Sequence, residues 1–268
     1  YRIPKKILLS LFTLLLVTTV SGQKSVVISA TPLEQAKQDY AFQIIKYNET
    51  HKKYAAAKNN YMAFKTAAAK NEAFIQTQQY IVQVHNVYKT YLLVINERSN
   101  LYDWGTSGFS KDEEHKLIQE EIKNLEDLRN EATKLTTLEE TVAHAQKLKD
   151  QASKKTFPTA YKLLARTDYA QLTELEYLFG QNAQKIDEFA TENIPENDSA
   201  LLLNWQTAIS NTKAAIRKDM DAKKIEISAL APNLVFNSDN VTFDFKTMSQ
   251  RSLFTPTVGL LKEILNLL

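Results

Sequence analysis

Cysteine is absent from this chain of 268 residues. Without it there is no disulfide, no thiolate nucleophile and no thiolate metal site, so packing alone must hold the fold. Glycine is scarce, with five, and proline with six. So few breakers leave few turns, which favours few but long helices, and a β-rich fold would need more turn residues than these. Neither sign of charge dominates: 33 Lys and Arg stand against 31 Asp and Glu. Setting aside Arg2, Lys5 and Lys6, which sit in an N-terminal targeting pattern, takes the formal charge from +2 to about −1. That total gives no basic surplus for steering toward nucleic acid or anionic lipid.

The motifs of common chemistries are missing too. There is no P-loop, GxGxxG, GxSxG or HExxH. His51, His85, His115 and His144 are scattered and form no pair at metal-ligand spacing. Asp112 with His115 and Glu140 with His144 lie one helical turn apart, as surface pairs often do. His51 and His85 fall on the apolar seam, where polar residues fix register. Glu120-Glu121 and Glu139-Glu140 are adjacent in sequence, so each pair points to different sides of a helix and reads as a solvated face. The expectation is a protein that is not an enzyme, with no catalytic residues, no cofactor and no metal.

What the chain does contain is helical periodicity. Residues 1–22 read as a secretory signal: a basic start, an apolar run from Ile7 to Val20 that is short of the roughly 20 residues of a membrane span, and small residues at Ser21-Gly22. Residues 23–32 read as a leader. Residues 33–230 read as a helical bundle domain, and 231–268 as a C-terminal tail with a short apolar helix over 258–268. Outside the signal no apolar run is long enough for a stable membrane span. Sequons at Asn48, Asn197 and Asn240 matter only if the source glycosylates.

Within the bundle, Tyr40, Tyr47, Tyr54 and Tyr61 recur every seven residues in a stretch, Leu33 to Asp103, without glycine or proline. Seven residues are about two helical turns, so the rings form one stripe on one long helix, with a candidate break near Asn71, where Ala67-Ala68-Ala69 packs thinly. At about 1.5 Å per residue that helix would span on the order of 100 Å. The stripe is either the seam onto which later helices fold or an exposed aromatic strip for a partner. Asp103 to Gly108 holds two glycines and marks a turn. Ser110-x-x-Glu113 and Thr137-x-x-Glu140 are capping boxes that open further helices. Their faces read Leu117, Ile118, Ile122, Leu125 and Leu128, then Leu138, Val142, Ala145, Leu148 and Ala152. Phe157-Pro158 marks another boundary. A polar linker at Glu192–Asp198 precedes a last helix carrying Leu202, Trp205, Ile209, Ile216, Met220 and Ile227. After Pro232 the alternation of Val241, Phe243 and Phe245 suggests an extended piece. The expected architecture is an all-α, elongated antiparallel bundle with coiled-coil-like long helices and a short extended tail.

The spaced tyrosines, Ala56-Ala57-Lys58-Asn59-Asn60-Tyr61, Thr90-Tyr91-Leu92-Leu93 and the helix start at Thr137-Leu138-Glu139 resemble signal-bearing, helical surface proteins of small-genome candidate-phylum bacteria. The resemblance covers about residues 33–230. It implies an all-α fold and an envelope location, and brings no activity or site residues. The function expected is that of an exported envelope scaffold, adhesin or other protein-interaction module with a protein partner or self-association. The alternative is a periplasmic helical subunit of a secretion or conjugation machine.

Overall fold

The computed structural model describes residues 30–193 and 199–228. The signal (1–22), most of the leader, the centre of the polar linker, Asn197, Asn240, the alternating segment and the terminal apolar helix lie outside the described residues. What is described is a helical bundle. Its helices are α1 (Pro32–Phe64), α2 (Ala67–Ser99), α3 (Lys111–Ala132), α4 (Leu138–Gln151), α5 (Phe157–Asn193) and α6 (Ser199–Ser228). A π-helical segment, Ala152–Thr156, joins α4 to α5.

The long helix expected from Leu33 to Asp103 is two helices folded back on each other. Its chain reverses in two residues, Lys65 and Thr66. Lys65 sits in the left-handed region at φ 50°, and its amide still closes on the Tyr61 carbonyl at 2.9 Å. Thr66 then caps α2, its hydroxyl accepting from the Ala69 amide at 3.1 Å. The periodic pattern runs straight through this turn, which has neither Gly nor Pro to announce it. Phe64 and Ala68, assigned to the seam by spacing, are exposed as a result.

Helix α2 is the hub. It packs against α1, α3, α4 and α5, as its apolar circumference from Tyr91 to Ile95 demands. Leu92 and Ile95 are buried beside Ile118, Leu125, Leu148, Leu163 and Leu164. The turn after α2 is closed by Trp104, whose indole N–H donates to the Ser99 carbonyl at 3.1 Å, and by Gly108 at φ 73°. A Cβ at Gly108 would fall 2.5 Å from Lys224 Nζ. The N-caps Ser110 and Thr137 form where the sequence places them, and at Thr137 both halves of the capping box are made.

Phe157-Pro158 is not a boundary. Helix runs unbroken from Leu138 to Asn193, roughly 80 Å at 1.5 Å per residue. Proline lacks the N–H of a regular turn. The chain answers with a wider turn just before it, in which the Phe157 amide reaches the Ala152 carbonyl, five residues back. Beyond the first cluster, α5 and α6 pair around a second one, Tyr169, Leu172, Ile216, Met220 and Ile227. Phe109 packs on both clusters, with its ring edge-on to Tyr169 at 5.6 Å and under the Arg166 guanidinium at 4.6 Å.

A non-glycine residue in the left-handed region costs about 1 kcal/mol. Lys65→Gly is expected to raise the unfolding free energy by up to about that amount, read as a higher urea midpoint at unchanged slope. A lower midpoint would show that Lys65 contributes contacts that outweigh its backbone strain.

Candidate functional site

The tyrosine stripe faces α2. Tyr40 lies 5.8 Å from Tyr91, ring centre to ring centre. Tyr47 lies 5.5 Å from Tyr80, and their hydroxyls are 3.1 Å apart. Tyr54 stacks on Tyr80 at 4.9 Å with planes 8° apart. His51 adds its ring at 5.4 Å from Tyr80. Gln83 crosses the same interface, donating to the Gln43 carbonyl at 2.9 Å. All four stripe residues, Tyr61 included, are half-buried. Burial raises the Tyr40 hydroxyl above the ordinary phenol range and pushes Tyr91 up to about 12. Tyr80 is raised further by burial and by its bond to Tyr47. These hydroxyls stay protonated and neutral at ordinary pH. The stripe therefore closes onto its own hairpin partner, and not onto the later helices, because the turn at Lys65 returns α2 along it first.

Three polar clusters lie inside the bundle; the sequence pattern places His85 on the seam, as observed, but misplaces His144 and Glu121 on the surface. The first is His85 of α2 with His144 of α4. They are buried, with their Nε2 atoms 3.3 Å apart. One of the two Nε2 atoms donates and the other accepts, according to the tautomers. His85 Nδ1 is buried with no hydrogen-bond partner among the described residues. Desolvation, then His144 and Arg129, lower His85 to about 4. Desolvation also lowers His144, partly opposed by Glu131. His144 is thus no surface partner of Glu140, which bonds instead to Thr136 and Thr137.

The second cluster is Glu121, read from sequence as part of a solvated acidic pair but only 3% exposed. Gln151 Nε2 donates to both of its carboxylate oxygens, at 2.9 and 2.8 Å. The buried Thr156 hydroxyl donates at 2.5 Å. Glu121 thereby clasps both ends of the π segment. The third is Glu114, also 3% exposed, held by Lys162 at 3.2 Å and by a short contact from Arg166. It forms the floor of a charged cleft that Leu117, Glu120 and Lys116 also line. A signal for both carboxylates was present. Glu114, Ile118, Glu121, Leu125, Leu128 and Ala132 alternate by four and three along α3, so both acids occupy core positions of the repeat.

The buried Glu114 and Glu121 are tied to cations, an amide and a hydroxyl. His85 and His144 face each other, and His115 Nε2 lies 2.6 Å from the buried Ser99 hydroxyl. Among the described residues no group of three or more His, Asp or Glu side chains converges to hold a metal ion. The bonds join α2 to α4, α3 to the π segment and α3 to α5, so they set the register of the bundle. Arg98 adds a fourth tie, reaching Asp168 at 2.7 Å. What remains for other molecules is surface. Helix α1 packs principally on α2 alone, and Phe42, Ile45, Met62 and Phe64 on it are 54%, 58%, 62% and 71% exposed.

Two predictions follow from the buried polar groups. His85 is lowered on folding from 6.5 to about 4, so between those values the unfolded chain binds the extra proton. Stability is then full above pH 6.5 and declines as pH falls toward 4, by about 3 kcal/mol from this residue. Chemical denaturation across that range should show the slope, and His85→Leu should flatten it. Glu121→Ala removes the acceptor for Gln151 and Thr156 and should cost about 2–3 kcal/mol. Glu121→Gln, which keeps one acceptor oxygen, should cost less by the same measurement.

No protein-family model matches this chain, and no curated protein or solved structure matches it either.

Proposed function

We propose that this is an exported, non-enzymatic protein that acts through its surface, as an envelope scaffold or interaction module. The observation that carries the reading is the unequal treatment of the two faces of the α1–α2 hairpin. One face of α1 is sealed by tyrosines against α2. Among the described residues the other packs principally on no further helix and keeps large apolar side chains, Phe42 and Ile45, exposed. A protein whose only task was catalysis would place polar groups around a pocket, and here the polar groups inside are engaged in tying helices together. Exposed apolar groups on an otherwise charged helix are what a docking face requires. Export is supported by the basic and apolar pattern over residues 1–22 and by a chain without cysteine that holds itself by packing. The resemblance to helical surface proteins agrees with both.

The test is fractionation of cells producing the full chain, followed by protease added to intact cells. The protein is expected outside the cytoplasm, with cleavage at the exposed turns. Retention in the cytoplasmic fraction would overturn the proposal.

A further inference from the structure

The near balance of charge over the whole chain conceals a local segregation. Between Thr50 and Asn71 there are five lysines, Lys52, Lys53, Lys58, Lys65 and Lys70, and no Asp or Glu. This stretch is the far half of α1 and the hairpin turn. Lys70 pairs with Glu139 at 2.6 Å. The other four are exposed. Lys58 lies over the Tyr54 ring at 5.9 Å, and no ion pair engages Lys52, Lys53 or Lys65 among the described residues. The acids that share this end are already engaged. Glu139 holds Lys70, Glu140 accepts from Thr136 and Thr137, and Glu72 accepts from Gln76.

The turn is also apolar. Met62-Ala63-Phe64-Lys65-Thr66-Ala67-Ala68 are seven consecutive exposed residues, five of them apolar. Phe64 stands out at 71% exposure in the last turn of its helix. Lys65 occupies a left-handed position that glycine would fill without strain. The turn keeps a cation there at a cost in backbone energy, and such strain collects where a side chain has work to do.

We propose that this end of the α1–α2 hairpin docks on an anionic lipid surface, with Phe64 and Met62 entering the acyl boundary and Lys52, Lys53, Lys58 and Lys65 meeting the headgroups. Cations along the far half of α1 and bare apolar side chains at its turn match a surface that is anionic outside and hydrocarbon within. A soluble polyanion would use the lysines and leave Phe64 and Met62 without a role. No helix among the described residues is long and apolar enough to cross a membrane, so the contact is peripheral. Half-buried Tyr54 and Tyr61 flank the turn, where rings with one polar end suit the headgroup layer. The proposal rests on the reading of the chain as surface-acting and names what that surface meets.

The full chain is tested against vesicles of phosphatidylglycerol with phosphatidylcholine, and against phosphatidylcholine alone. The apolar stretch from Ile7 to Val20 can itself bind vesicles, so the reporter must be local. Phe64→Trp places an indole at the turn, and Tyr177→Trp places one on the exposed flank of α5; the signal of each is its difference from the unaltered chain, which already carries Trp104 and Trp205. With brominated anionic lipid, Phe64→Trp emission is expected to shift blue and quench, and Tyr177→Trp emission to stay unchanged. Replacing the four exposed lysines by Gln should weaken the Phe64→Trp response by about fivefold for each charge removed. Added salt should weaken it too. Equal quenching at both positions, or no shift at Phe64→Trp, overturns the proposal. So does tight binding of inorganic polyphosphate together with vesicle binding that Phe64→Ser leaves unchanged, because the turn would then be a polyanion site. A chain that protease reaches on intact cells but that shows no shift at Phe64→Trp keeps the surface reading and loses only the lipid.

Discussion

Burial of α2 on nearly every side is the constraint from which the rest of the bundle follows. A helix that carries Tyr88, Tyr91, Leu92, Leu93 and Ile95 within two turns has no face to give to water. Its neighbours must surround it, and each does so with what its own sequence offers. Helix α1 brings tyrosines, which tolerate a half-wet interface because one end of the ring is polar. Helices α3 to α5 bring a leucine and isoleucine face interrupted by acids, threonines and one histidine. The bundle is thin, so its interior cannot be purely apolar.

That polar interior explains which parts of the fold were legible in the sequence. Helix class, the turn at Asp103 to Gly108, both N-caps and the last helix all announce themselves by composition or by local hydrogen-bond chemistry. The reversal at Lys65-Thr66 does not, because a strained lysine and a threonine cap carry a turn that glycine usually carries. The buried face of α4 was also misread. The apolar spacing points to Val142, which is 60% exposed, whereas the buried positions are Thr141, His144 and Leu148. Threonine and histidine look like surface residues until a partner across the bundle is known, and that partner lies 59 positions away for His144.

The same difficulty governs the functional reading. The tyrosine stripe was visible at once, but whether it faced a neighbour or a partner depended on where the chain turned. Because α2 covers it, the surface left open on α1 is the opposite side and the turn. There the exposed apolar groups lie among lysines that are diluted in any whole-chain charge count. Segregation of charge over some twenty residues is legible in the sequence, but only the fold shows that they form the closed half of the α1–α2 hairpin.

The π segment before Pro158 carries a consequence for the helix beyond it. Buried positions between His144 and Ala160 recur every four residues, at Leu148, Ala152 and Thr156. In a regular helix a step of four rotates about 40° past the starting face, so that stripe would wind away from α3. The wider turn absorbs one residue and brings the stripe back into phase. Winding these same residues as an ordinary α-helix would swing everything downstream by about 100°. The face of α5 that now meets α6 would be carried round the axis. Five residues, held by one carboxylate, thus act as the clock that keeps the two hydrophobic clusters of the chain in time with each other.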